Sequence, residues 1–290
     1  MSRVQCLVLS GNGTNCERET AHACTQAGAD RVDVVPIWDL LAGQHQLDAY
    51  NFLCLPGGFL DGDDLGAAKA MAWRLTMART PSGQSIAEQL ARFVTEPRLV
   101  LGICNGFQLM AKLGLIPNPS PIDGGDAQGK AAMTHEGHEP APQQQVTIWA
   151  NDSGRFEDRW VRLTFDQDSP CIFTKGIEDM WLPIRHGEGK VIYRGSQEEA
   201  FVTDNHLIPL RYADPQTGSP TEIYPANPNG SPGGTAGLCD PTGRLFGLMP
   251  HPEAFHDATN HPAWTSLGLK GRGDGLALFD NAVSWLKRNG

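Results

Sequence analysis

The first half of the chain alternates between short apolar runs and longer segments in which apolar positions recur every three or four residues. The apolar runs predict buried β-strands at 4–10, 32–37, 52–55 and 99–103. The periodic segments predict helices at about 16–27, 65–77, 86–95 and 105–113. Strands that alternate with helices predict a parallel sheet that is covered by helices on both faces. Because sites in such sheets form at the carboxyl ends of the strands, the loops after Ser10, Leu55 and Ile103 are expected to carry the chemistry.

The second half of the chain is more strand-like, with connections rich in Pro and Gly. Strands are predicted at 145–149, 160–165, 181–184, 199–203, 207–211 and 245–248, and an amphipathic helix at about 275–287. Residues 117–145 are rich in Pro, Gly and Gln without periodicity, which predicts an insertion or a mobile loop. The simplest organisation is a single α/β domain over residues 1–290, with a mostly parallel sheet and a mixed β extension.

Composition and charge narrow the classes of protein. With 290 residues, 40% of them hydrophobic, the chain can bury a substantial core, which excludes an intrinsically disordered protein. The net charge of −10 argues against a nucleic-acid-binding surface, and no apolar run approaches the length of a bilayer span. The seven cysteines are odd in number and form no C-x-x-C pair, which is typical of a reduced protein. We therefore expect a cytoplasmic protein that binds neither nucleic acid nor a membrane.

One cysteine differs from the others in its surroundings. Cys104 lies between a predicted strand and a predicted helix and is flanked by Gly102 and Gly106. The resulting G-x-C-x-G pattern is the cysteine counterpart of the G-x-S-x-G nucleophile elbow. A sharp strand-to-helix turn presents the sulfur at a helix N-terminus, where the helix dipole favours a thiolate. The alternative, a buried core cysteine, fits Cys6 and Cys54 inside their strands better.

A thiolate nucleophile needs a base, and His251 is the best placed of the nine histidines. It follows the predicted strand 245–248, which ends at the same edge of the sheet as Cys104. Glu253 comes two residues later, so in an extended segment its carboxylate faces the same way and can orient the imidazole. A surface turn is the alternative for an isolated His-Pro-Glu, but the elbow makes it the weaker interpretation.

The remaining parts of the predicted site are backbone donors. Gly57 and Gly58 follow a neighbouring strand, and glycines allow the backbone to approach an oxyanion closely. The amide of Asn105, directly after the nucleophile, is the second expected donor. No metal site is predicted, because the HEGH sequence at 135–138 is too short for H-E-x-x-H and lies in an aperiodic segment.

Together these motifs resemble those of class I (triad) glutamine amidotransferases, and more closely the glutaminase subunits of phosphoribosylformylglycinamidine synthase. The segments that carry the resemblance are 13–17, 56–59 with 62–63, 102–108, 151–159, 183–189 and 247–253. The resemblance implies a flavodoxin-like fold. Departures are the length of 117–145 and 212–234, Leu60 and Asp61 in place of Ser-Tyr, and Ala254 where Arg often follows the His-Pro-Glu.

The resemblance also implies an activity. Cys104 would attack the side-chain amide of glutamine, His251 would protonate the leaving ammonia, and water would hydrolyse the thioester to glutamate. Gln108 would help to hold the glutamine. The ammonia would pass to an ATP-dependent synthetase subunit that converts formylglycinamide ribonucleotide (FGAR) to formylglycinamidine ribonucleotide (FGAM) in purine biosynthesis. ATP and magnesium are expected on that partner and no cofactor in this chain; a small accessory subunit is a further candidate partner.

Four further residues fall in the family-specific segments outside the triad. Arg155, Arg159, His186 and Glu188 are candidates for the partner interface or the ammonia exit. Ion pairs in a β-rich lobe are the alternative role for them.

Two other functions compete with this interpretation. A different amidotransferase or cysteine hydrolase with the same elbow should lack the segments 151–159 and 183–189, which are present. A non-catalytic binding subunit on the same scaffold would be expected to have lost a member of the triad, and this chain has all three.

Overall fold

A six-stranded sheet lies at the centre of the computed structural model, which describes residues 2–62, 66–117 and 144–290. The strands are β1 (Gln5–Ser10), β2 (Arg31–Pro36), β3 (Phe52–Leu55), β4 (Leu99–Ile103), β5 (Val146–Ala150), β6 (Glu157–Phe165), β7 (Asp179–His186), β8 (Glu188–Tyr193), β9 (Leu210–Ala213), β10 (Gly237–Cys239) and β11 (Leu245–Leu248). The helices are α1 (Glu17–Gln26), α2 (Ile37–Leu41), α3 (Lys69–Met77), α4 (Ile86–Thr95), α5 (Asn105–Lys112), α6 (Ser196–Asp204), α7 (Trp264–Leu267) and α8 (Leu276–Asn289). The central sheet has the order β10-β11-β4-β3-β1-β2 and is parallel except for the β10–β11 pair.

Complete burial explains why the sequence predicts the middle of this sheet well. Every residue of β3, β4 and β11 is buried. Strands buried on both faces appear in a sequence as continuous apolar runs, and each large apolar side chain contributes roughly 1.5–3 kcal/mol when it is buried. The predicted bounds of these three strands equal the observed ones.

Of the strands in the second half of the chain, only β10 and β11 belong to the central sheet. The others form two separate antiparallel sheets, β5-β8 and β7-β6-β9. The mixed extension is therefore limited to the antiparallel strand β10, and most of the predicted β structure packs beside the central sheet. The backbone amide of His251, after β11, donates to the carbonyl of Pro183 in β7 at 2.8 Å. This bond brings the end of β7 to the edge of the central sheet where the site is expected.

The predicted strand at 199–203 is wrong, because this segment belongs to helix α6. Only Val202 is buried there, so the apolar residues that suggested a strand are mostly at the surface. Glu198 and Glu199 lie in the first turn, where the helix dipole favours negative charge. The sequence prediction also omitted strands β8 and β10.

A continuous group of buried apolar side chains extends from β1 to α8 and includes residues of all three sheets. Most of the predicted insertion at 117–145, including the HEGH sequence, lies outside the described residues. In the described part of the chain, no helix combines the length and the apolar character that crossing a membrane requires.

Candidate active site

Cys104 lies at a sharp turn between β4 and α5. Its backbone has φ 52° and ψ −105°, a conformation that a residue with a side chain rarely adopts. Such strain costs on the order of 1–3 kcal/mol and persists only where the surrounding structure enforces it. Here the Cys104 amide donates to the carbonyl of Leu248 in β11 at 2.8 Å. The neighbouring strand thus holds the cysteine in the strained conformation predicted for a nucleophile elbow.

The two glycines beside the cysteine are required by close packing. A Cβ on Gly106 would lie 1.8 Å from the carbonyl oxygen of Leu55 at the end of β3. A Cβ on Gly102 would lie 2.5 Å from the sulfur of Met110 in α5. Neither position can accept a side chain without moving α5 away from the sheet. The glycine spacing therefore sets how closely the first turn of the helix approaches the neighbouring strand.

His251 and Glu253 form a buried pair after β11. His251 Nδ1 lies 2.6 Å from Glu253 Oε1, and the two side chains are 3% and 0% exposed. The sequence predicts this pairing, but from an extended segment. The segment is instead a short 3₁₀ turn at Pro252–Ala254, closed by a bond from the Ala254 amide to the His251 carbonyl. The pairing is present although its predicted local conformation is wrong.

The charge of Glu253 controls the protonation of His251. Burial by itself lowers the pKa of His251, but Glu253 and then Cys104 and Cys16 raise it, and the net pKa lies well above its ordinary value. An imidazole in this environment readily holds a proton. No described residue bonds to the buried Nε2 of His251, so this nitrogen is available for proton transfer.

Cys104 and His251 line the same cavity, which has a volume of about 440 Å³. Cys104 is only 6% exposed, and its Sγ lies 3.7 Å from the carbonyl oxygen of Arg185. Gln108 and Glu188 also line the cavity. A cavity of this size accommodates an amino-acid side chain together with its α-amino and α-carboxylate groups.

Gly57 and Gly58 lie where the sequence analysis placed them, at the end of β3 beside the cysteine. A Cβ on Gly57 would lie 2.8 Å from Cε1 of His251 and 3.5 Å from Cβ of Cys104. The loop after β1 holds this segment, because the Phe59 amide donates to the Gly13 carbonyl at 2.7 Å. The close approach to both triad side chains is suitable for an oxyanion donor.

Asn105 contributes more than the backbone amide that the sequence analysis assigned to it. As the first residue of α5, its amide has no acceptor within the helix and is suited to bind an oxyanion. Its side-chain oxygen accepts from the Leu60 amide at 3.0 Å, and its Nδ2 donates to Oε1 of Gln108 at 2.8 Å. Gln108 in turn donates to the carbonyl of Glu188 at 2.7 Å. This chain of bonds joins the elbow to the small β5-β8 sheet.

The four residues suggested for the partner interface or ammonia exit do not lie together. Arg155, His186 and Glu188 line the cavity beside the triad. Arg159 lies instead in a separate groove, where it pairs with Glu157 and stacks 5.0 Å from the ring centre of Tyr224. The ion-pair alternative therefore describes Arg159 well, whereas the other three border the site.

Sequence reasoning missed two residues that border the triad. Cys16 at the start of α1 is 5% exposed, and its Sγ lies 3.9 Å from Nδ1 of His251. Burial raises the pKa of its thiol, so Cys16 stays protonated. Arg185 lines the cavity from the end of β7. A signal existed for Cys16, since the loop after Ser10 was predicted to face the site, but nothing in the sequence placed β7 there.

Among the described residues, three groups of side chains have the composition of a metal site. They are Cys6 with Cys24 and Cys54, Cys16 with His251 and Glu253, and Asp166 with Asp168 and His206. In the second group, a metal would have to displace the hydrogen bond that joins His251 Nδ1 and Glu253 Oε1 at 2.6 Å. The triad as it stands is arranged for proton transfer.

Comparison with known proteins agrees with this geometry. A family model described as CobB/CobQ-like glutamine amidotransferase domain matches residues 3–286. Phosphoribosylformylglycinamidine synthase subunit PurQ of Dehalococcoides mccartyi is 39% identical and covers 99% of this chain and 100% of its own length. Human phosphoribosylformylglycinamidine synthase is 36% identical over 96% of this chain, which corresponds to 20% of the human protein. A solved structure of PurLQS from Thermotoga maritima has a chain with 25% identity and a TM-score of 0.66, covering 98% of this chain and 100% of that one.

The α/β fold, the elbow and the triad together define the class of this protein as glutamine amidotransferase, as the sequence motifs predicted. Within that class, the chain belongs to the family of the PurQ subunit of phosphoribosylformylglycinamidine synthase.

Proposed function

We propose that this chain hydrolyses glutamine at Cys104 and supplies the ammonia to a synthetase subunit that converts FGAR to FGAM. The observation that carries the catalytic part is the strained Cys104 elbow, which shares one cavity with the buried His251–Glu253 pair. The strained backbone of Cys104 and the buried Glu253 carboxylate both cost stability, and a non-catalytic binding subunit would need neither of them.

In the proposed reaction His251 takes the thiol proton, and the Cys104 sulfur attacks the amide carbon of glutamine. The amides of Gly58 and Asn105 bind the oxyanion of the tetrahedral intermediate. His251 then gives its proton to the amine nitrogen, which leaves as ammonia while the thioester forms. Water, deprotonated by His251, attacks the thioester carbon and releases glutamate, and the proton returns to the sulfur. Glu253 stabilises the protonated imidazole at both stages.

The partner part of the proposal is supported by the relatives. The chain matches a fifth of the human synthase, so the remaining four-fifths of that protein has no counterpart in it. We assign the ATP and magnesium chemistry to a PurL-type synthetase subunit, with a small PurS-type subunit as a second partner; the PurLQS structure of Thermotoga maritima supports such an assembly. This chain would then act in the cytoplasm as the ammonia-producing subunit.

The test measures glutamate released from glutamine by this chain, alone and with the synthetase subunit, FGAR and ATP. Release that depends on Cys104 and increases with the partner is expected. If the rate of glutamate release is the same with and without the partner, the glutaminase activity is supported, but the proposed synthetase is not its partner. No release from an assembled complex would reject the glutaminase itself.

A further inference from the structure

A second histidine lies beside the catalytic cysteine and takes no part in the triad. His186 is the last residue of β7, is 3% exposed and lines the same cavity as Cys104. The carbonyl of the preceding residue, Arg185, lies 3.7 Å from the Cys104 sulfur. His186 thus directly follows the residue whose carbonyl oxygen faces the Cys104 sulfur.

The hydrogen bonds of Asn151 determine which ring nitrogen of His186 carries the proton. Asn151 Nδ2 donates both its hydrogens to backbone carbonyls, those of Arg155 at 2.9 Å and of His186 at 2.8 Å. The Asn151 side-chain oxygen therefore faces His186 Nδ1, at 3.1 Å, and can only accept. Nδ1 must donate, so Nε2 carries a lone pair and no proton.

The imidazole of His186 is also held neutral. Burial, with a smaller contribution from the charge on His251, lowers the pKa of His186 to about 3. At neutral pH, Nε2 is thus a hydrogen-bond acceptor that does not release a proton. It is buried, and none of the described residues bonds to it. An unmade bond to a buried polar atom is costly, so such an acceptor favours a ligand that donates.

The backbone keeps the ring in this orientation. A Cβ on Gly189 would lie 2.4 Å from Cε1 and 2.5 Å from Nδ1 of His186. The ring therefore packs directly on the Gly189 backbone, with Asn151 at its Nδ1 edge and Nε2 as its remaining polar atom.

We propose that His186 Nε2 accepts a hydrogen bond from the nitrogen that glutamine loses, first as the amide NH₂ and then as ammonia. This inference rests on the proposed glutaminase function and deepens it. Among the groups of the substrate, the amide nitrogen, the ammonia and the α-ammonium are the N–H donors. The carboxylate of Glu188 in the same cavity is the better partner for the charged α-ammonium, which leaves the neutral acceptor for the reacting nitrogen.

The opposite pKa shifts of His251 and His186 explain what a hydrogen bond from ammonia to His186 would achieve. His251, whose pKa is raised, can return a proton to ammonia and convert it to ammonium, which is not a nucleophile. His186 accepts a hydrogen bond without giving a proton. Ammonia bound at His186 therefore stays in the form that the synthetase reaction consumes.

Two substitutions separate this role from a structural one. His186→Asn places an amide near the position of Nδ1, so it retains the bond to Asn151 and loses the distal acceptor. His186→Gln reaches the position of Nε2 with its amide oxygen, so it retains the acceptor and loses the bond to Asn151. Each variant is assembled with the synthetase partner, and glutamate and FGAM are measured in the same reaction together with KM for glutamine.

We expect His186→Asn to release glutamate in several-fold excess over FGAM, with the missing ammonia in the solvent, while His186→Gln stays near the wild-type ratio. The opposite order would show that the bond to Asn151 matters and would overturn the proposal. A raised KM with an unchanged product ratio would assign His186 to the α-ammonium and would also overturn it. Wild-type complex in the same assay isolates the premise, because failure of the wild type to release glutamate refutes the glutaminase and not the role of His186.

Discussion

His251 and Glu253 are two residues apart in the sequence and form a 2.6 Å contact between Nδ1 and Oε1 inside the protein. Pro252 starts the 3₁₀ turn that brings them together. Because the contact is local, it does not depend on the position of a second element. The tertiary structure only has to bury the pair and place it beside Cys104.

Replacement of the nucleophile tests the triad directly. Cys104→Ala removes the sulfur of the proposed nucleophile, so glutamine-dependent activity should fall by about 10⁴-fold or more. FGAM synthesis from added ammonia by the assembled complex should continue, because that step belongs to the partner. Cys171→Ala, at a fully buried cysteine, is the control and should retain glutamine-dependent activity. Loss of the ammonia-dependent reaction in Cys104→Ala would show that the substitution disrupts the complex.

Glu253→Gln tests the charge behind His251. The neutral amide cannot stabilise the imidazolium, so kcat should fall by at least about 10²-fold. The wild-type carboxylate raises the pKa of His251, so its removal should lower that pKa. The protonated imidazole needed for ammonia departure is lost as pH rises through this pKa, and the alkaline limb of kcat/KM should therefore move to lower pH. Glu96→Gln, which alters a surface ion pair with Arg98, should change neither quantity.

Gly57→Ala tests the close approach of the loop after β3. Its new methyl group would lie 2.8 Å from Cε1 of His251 and must displace the imidazole. We expect loss of most glutaminase activity with little change in the unfolding midpoint, since the loop lies at the cavity. Gly195→Ala meets only the flexible end of Glu198, at 3.3 Å, and serves as the matched control. Equal activity of the two variants would contradict the observed packing.

His186 should make stability depend on pH. In the unfolded chain the imidazole takes up a proton near its ordinary pKa of 6.5, whereas burial lowers the folded pKa to about 3. The unfolded state therefore binds more protons between these values, and the stability of the fold falls as pH decreases. The loss is about 2 kcal/mol between pH 7.5 and pH 5, at 1.36 kcal/mol per pH unit. Urea titrations at the two pH values should show this difference for the wild type and a smaller one for His186→Asn, in which the contribution of His251 is unchanged.

The short apolar runs at β3, β4 and β11 were predicted with correct bounds because these strands are buried on both faces. Helix α6 was misassigned because it lies at the surface, where apolar residues follow no burial pattern. Strands β8 and β10 were missed since the stability of a strand depends on its packing against neighbouring strands, which the local sequence does not show.

The sequence by itself determined the elbow, the His251–Glu253 pair and the edge of the sheet at which they meet. Each is local in the chain, or follows from the rule that parallel strands end at one edge. Only the tertiary structure decided that the end of β7 approaches Cys104, that Cys16 touches His251, and that Arg159 lies apart from the cavity. These placements depend on how separate sheets pack against each other, and packing between elements distant in the chain leaves no periodic pattern in the sequence.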